Sequence, residues 1–162
     1  ELSKQAGVEL SPVTGGPKVS ETLETGVPGV FACGNVLHVH DLVDYVSEEA
    51  AAAGRNAARL VLAGAPAAGK PIPLIPSGAV RYTVPSTLDP ARMEGDVIIR
   101  FRVGRNLRKA AVTVSAGGRE LLRRKRPVMA PGEMEQIALK KEWLTGGEAE
   151  ITLDAREEGE ET

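Results

Sequence analysis

The sequence predicts an α+β protein made of two unlike halves: an α/β unit of strand, turn and helix, then a small antiparallel β-sandwich. Three observations carry this reading. Residues 44–63 are rich in alanine with apolar residues at helical spacing. The segment 66–78 is crowded with prolines. From residue 79 onward the apolar residues alternate. Of 162 residues, 42% are hydrophobic and 26% charged, the balance of a folded chain rather than a disordered one. Aromatic residues are only 3%, so the core must be built from Val, Leu, Ile and Ala. The expected organisation is an α/β unit over 1–65, a linker over 66–78, a sandwich over 79–154 and a disordered acidic tail over 155–162.

In chain order, Val8–Leu10 reads as a short strand, and Pro12, Gly15, Gly16 and Pro17 mark a turn. Lys18–Leu23 is a second extended segment, so residues 6–24 are expected to form a hairpin. Gly29–Ala32 is a buried strand built on Val30, Phe31 and Ala32, and it runs into Gly34, where the backbone can approach a neighbour closely. A loop follows from Asn35 to about Leu42. Asp44 is the expected helix N-cap, with Glu48 and Glu49 in the first turns, where carboxylates suit the helix dipole. Ala50–Ala53, Ala57 and Ala58 are strong helix formers, and Arg55 and Arg59 lie toward the C-terminus. Gly64 sits at C′ with Pro66 beyond it. Val46, Ala50, Ala53, Ala57, Leu60 and Val61 form the expected apolar stripe. Gly54 costs the helix about 1 kcal/mol relative to alanine, and close backbone packing is the expected reason for it.

Residues 65–78 hold four prolines and two glycines, the composition of an extended, stiff linker. Beyond it, residues 80–84, 96–103, 110–116, 119–126, 134–139 and 149–153 read as six strands, with Gly117-Gly118 as a two-residue hairpin turn. That spacing fits a sandwich of immunoglobulin or fibronectin type, with Trp143 and Leu144 covering one end.

Several function classes are excluded. No apolar run reaches the roughly 18 residues needed to cross a bilayer, and no signal peptide is visible. Cys33 is the only cysteine, which rules out an internal disulfide, a cysteine zinc cluster and a redox CxxC pair, and points to the cytoplasm. A net charge of -2 argues against nucleic acid as a partner. The basic run Arg123–Arg126 has no interleaved aromatic residues and reads as a solvated strand face or an intramolecular docking surface. No Gly-x-Gly-x-x-Gly follows a strand, and the phosphate-loop-like stretch 64–71 has Pro71 where Ser or Thr is needed. His38 and His40 have a metal-ligand spacing with no third strong ligand near them in sequence, so no metal is expected. Cys33 reads as a small packed residue, and Asp41 and Asp44 as turn and cap residues.

Thr25, the apolar run Val30-Phe31-Ala32, then Cys33, Gly34 and Asn35, followed by a helix carrying Ala53-Gly54, together resemble a known motif. It is the second flavin-contacting motif of the glutathione and thioredoxin reductase superfamily. The loop Asn35–Asp44 is similar to that of bacterial NAD(P)/FAD-dependent oxidoreductases found with anaerobic glycerol metabolism, which carry an extra C-terminal β domain. The resemblance covers about residues 20–65. It implies FAD as cofactor, NAD(P) as possible co-substrate, and Gly34, Asn35, Val46 and Ser47 as flavin contacts. Asn35 stands where the superfamily has an Asp that bonds the ribityl chain. The helix N-terminus would face the flavin O2 and N1, where it stabilises negative charge. His38 and His40 would lie beside the isoalloxazine edge. Catalytic residues are left unknown. The resemblance also implies that FAD and NAD domains of the same chain precede Glu1, that a partner subunit is possible, and that this piece alone is inactive. The alternative reading is a non-enzymatic β-sandwich interaction module docking a protein through Arg123–Arg126.

Overall fold

Alternation in the second half of the chain builds two sheets around one core. The computed structural model describes residues 2–64 and 69–160. It is mixed α+β and mostly sheet. Helix α1 is Leu2–Gln5 and α2 is Val43–Ala63. The strands are β1 (Ile72–Gly78), β2 (Val80–Val84), β3 (Thr87–Leu88), β4 (Val97–Val103), β5 (Leu107–Ala116), β6 (Arg119–Met129), β7 (Glu135–Leu139) and β8 (Ile151–Glu157). One sheet has the order β3-β1-β8-β5-β6 and the other β2-β4-β7.

The six expected strands correspond to β2, β4, β5, β6, β7 and β8. The proline-rich segment is the main difference. Its residues 72–78 form β1, which pairs antiparallel with β3 and parallel with β8, so the larger sheet is mixed rather than antiparallel. Pro73 and Pro76 are accommodated because β1 exchanges partners along its length: Ile72 and Pro73 face β3, while Leu74–Gly78 face β8. The expected tail also changes, because β8 continues through Glu157 in register with β5, Ala155 opposite Val112. Residues 66–68 of the expected linker and 161–162 of the tail lie outside the described residues.

Ile99, Phe101 and Val103 of β4 meet Val112 and Val114 of β5 and Leu153 and Ala155 of β8 in one core, all almost fully buried. Trp143 and Leu144 pack against it, as expected. The alternate residues of β4, Arg100 and Arg102, leave on the other face. There the N-terminal segment buries Arg100 and half-covers Arg102, while Ile98 and Gln136 of the same face stay exposed.

That N-terminal segment holds less regular structure than its sequence suggests. The expected hairpin in 6–24 is reduced to single bridges, Leu10 to Pro17 and Val19 to Thr25, and the expected strand Gly29–Ala32 to one bridge, Glu24 to Phe31. With many Gly, Pro and Ser residues that favour turns, the segment is shaped by its contacts rather than by a ladder. Val19, Leu23, Ala32, Leu37, Ala53 and Val84 form its small core. Ser86 donates its backbone N–H to the Val19 carbonyl at 2.9 Å, and Asp89 donates its own to Glu21 at 2.8 Å. Arg92 pairs with Glu24.

Helix α2 ends at Gly64 as expected, with φ of 78° and its N–H on the Leu60 carbonyl. Its N-cap is Leu42, with Asp44 in the first turn instead. Of the expected apolar stripe, Ala53 is buried and Val46, Ala57 and Leu60 are half-buried, while Ala50 and Val61 are exposed; buried Glu49 and half-buried Asn56 join that line. Val61 and Leu62 are exposed. Gly54 is also exposed, and a Cβ there would meet nothing within 4 Å, so close packing does not explain it. Gly54→Ala is therefore expected to stabilise this chain by about 0.5–1 kcal/mol, read from urea unfolding; a loss of stability would show that something packs on this face.

Candidate functional site

Gly34 opens a short 3-10 turn, Gly34–Val36, with φ of +72°. A Cβ on Gly34 would lie 3.3 Å from Val46 Cγ1, so the turn rests directly on the first turns of α2. On the other side Gly16 lies under the carbonyls of Leu37 and Val36, which would come within 2.2 and 2.4 Å of a Cβ there. The loop after Gly34 thus lies between a backbone approach at Gly16 that only glycine allows and a left-handed Gly34 packed on Val46. No side chain caps α2, whose N-cap Leu42 is extended. Asn35 is exposed and accepts the His40 N–H on its side-chain oxygen at 3.2 Å, which leaves its amide NH2 directed elsewhere. Ser47 is exposed and its hydroxyl bonds back to the Val43 carbonyl at 3.1 Å. Of the four expected flavin contacts, the structure brings Gly34 and Val46 together, while Asn35 and Ser47 stay on the surface.

Behind this loop lies a cluster that sequence spacing did not reveal. Glu49 is on the second turn of α2 and is almost fully buried. It accepts the Gly34 N–H at 2.6 Å and lies 3.1 Å from His40 Nε2. His38 Nε2 stands 3.6 Å from its other oxygen, and Arg100 NH1 is 3.5 Å from that same oxygen. The two imidazoles meet edge to face, with ring centroids 4.5 Å apart. Tyr82 of β2 places its hydroxyl 3.4 Å from His38 Nδ1. Arg100 is steadied by Glu48 at 3.2 Å and by the face of Tyr45. His38 Nε2, His40 Nδ1, Glu49 Oε1 and Arg100 Nε are buried without a hydrogen-bond partner among the described residues.

The electrostatics follow from this packing. Burial acts to raise the Glu49 carboxyl, but the contacts from His38 and the Gly34 N–H and the charge of both histidines outweigh it, holding the group below the usual carboxylate range. Burial pushes His40 the other way, below the usual imidazole value, and His38 and Arg100 add to that against the pull of Glu49. Burial, then the Glu49 charge, raises the Cys33 thiol, which disfavours its thiolate form.

Just outside, Asp41 is a tether. It pairs with Arg102 of β4 and accepts the Met134 N–H at 2.6 Å. Burial raises its carboxyl, but the Met134 N–H and Arg102 outweigh this and hold it below the usual range. Arg102 also donates to the Val39 carbonyl at 3.0 Å. Two arginines spaced i, i+2 on β4 thus hold the histidine loop and α2.

No protein-family model, curated protein or solved structure matches this chain.

The sequence reading assigned Glu49 to the helix dipole and found no third ligand for the histidines. The available signal was its spacing four residues before Ala53, which puts it on the line the helix buries. Gly34→Ala is expected to destabilise the protein by about 1–2 kcal/mol in thermal or urea unfolding, because it forces a left-handed backbone and crowds Val46. Gly26→Ala, where a Cβ meets nothing within 4 Å, is the control and should show no loss.

Proposed function

We propose that this chain is the C-terminal part of a cytoplasmic FAD-dependent, NAD(P)-linked oxidoreductase. It contributes the second flavin-contacting motif, and its β half is an accessory domain of immunoglobulin or fibronectin type. The observation that supports this best is the Gly34–Asn35 turn seated on the uncapped N-terminus of α2. Free helical N–H groups beside a glycine turn suit the negative charge that a reduced flavin carries at its O2 and N1 side. Asn35 keeps an unspent amide for a ribityl hydroxyl. The exposed apolar residues Leu42, Val43, Val61 and Leu62 suit a helix whose remaining partners lie in preceding domains of the same chain. In the whole protein the flavin would pass hydride between NAD(P)H and an acceptor or partner subunit. Alone, this piece lacks an adenine site and is inactive.

The interaction-module reading gains little. Lys125 pairs with Glu158 at 2.6 Å, Arg126 with Glu135 at 3.0 Å and Arg123 with Glu120 at 3.9 Å, so the basic run is largely engaged within the chain.

The test starts from the reading frame upstream of Glu1. A Gly-x-Gly-x-x-Gly within a βαβ pattern is expected there, and the longer protein should purify with a flavin absorption band. Asn35→Leu in that protein should lower its flavin content severalfold. A longer protein that is colourless and cannot be loaded with FAD would contradict the proposal.

A further inference from the structure

The geometry points to a binding site for a divalent transition-metal ion formed by His38, His40 and Glu49. Each of the three offers one donor atom, and these atoms all lie within 4.8 Å of one another. All three side chains are about 1% exposed, so they meet away from competing water. His38 Nε2 and Glu49 Oε1 face each other at 3.6 Å, and neither has a hydrogen-bond partner among the described residues. A buried acceptor left unpaired is costly, and an ion between these two atoms would satisfy both.

The surroundings support the ligands as metal sites usually require. Tyr82 lies at the other nitrogen of His38, and the Gly34 N–H fixes the second oxygen of Glu49. Two imidazoles and one carboxylate suit Zn²⁺ or Fe²⁺ with an open coordination position, rather than Mg²⁺ or Ca²⁺, which prefer all-oxygen shells. The loop and α2 are held from opposite sides, by Gly16 under the loop and by Arg100 and Arg102 from β4, so the three donors are preorganised. Arg100 is the competing cation. Its NH1 lies 3.5 Å from Glu49 Oε1, but Glu48 and the Tyr45 face hold it as well, so it can yield that oxygen to an ion. The inference does not depend on the flavin reading, since every ligand lies in this chain.

The test uses the purified chain, stripped with EDTA and titrated with Zn²⁺ alone by calorimetry and thermal unfolding. One ion should bind per chain and raise Tm. Tyr82→Phe should weaken Zn²⁺ by about 10–100-fold as an outer-shell change, and His40→Ala or Glu49→Gln by more. Cys33→Ala should change nothing. Arg100→Met should tighten Zn²⁺, because it removes a like charge from the ion's carboxylate. If the ligand variants fail to fold, Tyr82→Phe and Arg100→Met carry the test. The inference is overturned if Zn²⁺ gives neither heat nor a Tm shift, if it binds equally to a His38→Ala, His40→Ala double variant, or if Arg100→Met lowers stability without any gain in Zn²⁺ affinity.

Discussion

A single buried carboxylate, that of Glu49, is the point where the halves of this protein meet. It takes the Gly34 N–H from the loop, His38 and His40 from the segment after it, and Arg100 from the sandwich. A carboxylate out of water is tolerated only when its charge and its lone pairs are met. Glu49 therefore dictates where its neighbours stand. It draws the loop onto α2, sets both imidazoles edge to face, and requires a cation on the outer face of β4. Such a charge adds little net stability compared with an apolar replacement of the whole cluster. What it adds is definition, because removing any one partner leaves another buried and uncompensated.

The sandwich supplies the platform for this arrangement. Alternation along β4 sends Ile99, Phe101 and Val103 into the core and presents Arg100 and Arg102 on the opposite face. That face would be an ordinary solvated sheet surface if the N-terminal segment were absent. Instead, Arg102 holds Asp41 and the Val39 carbonyl, Arg92 holds Glu24, and the Val19 backbone bonds to Ser86. The N-terminal segment, poor in regular structure, is ordered by these crossings. Its glycines serve the same end, because Gly16 allows a backbone approach that any side chain would block and Gly34 takes the left-handed backbone of the turn.

The β half was legible because period-two alternation and the Gly117-Gly118 turn are local signals, and each expected strand there has a counterpart in the structure. β1 was not legible. Four prolines mask a strand whose pairing comes from β3 and β8, both distant in sequence. The end of β8 was hidden in the same way, since acidic composition reads as tail while register with β5 makes it a strand. Helix α2 was legible in extent and in much of its face: Ala53 is buried and Val46, Ala57 and Leu60 are half-buried, while the burial of Glu49 comes from the ion cluster. Gly34 and Val46 were singled out as flavin contacts through the flavin-motif resemblance, but their contact with each other was not foreseen. Glu49, Tyr82 and Arg100 were not, because their relation to His38 and His40 exists only once α2 and β4 have packed against the loop.

Glu49 locks the Gly34 turn to the helix. Amide hydrogen exchange followed by NMR reads this directly, because the Gly34 N–H is the donor to the Glu49 carboxylate. Exchange of the Gly34 amide as slow as that of core amides such as Val112 and Leu153, accelerated selectively in Glu49→Gln, is the predicted result. A Gly34 amide that exchanges as fast as that of exposed Gly26, with no response to Glu49→Gln, would contradict it.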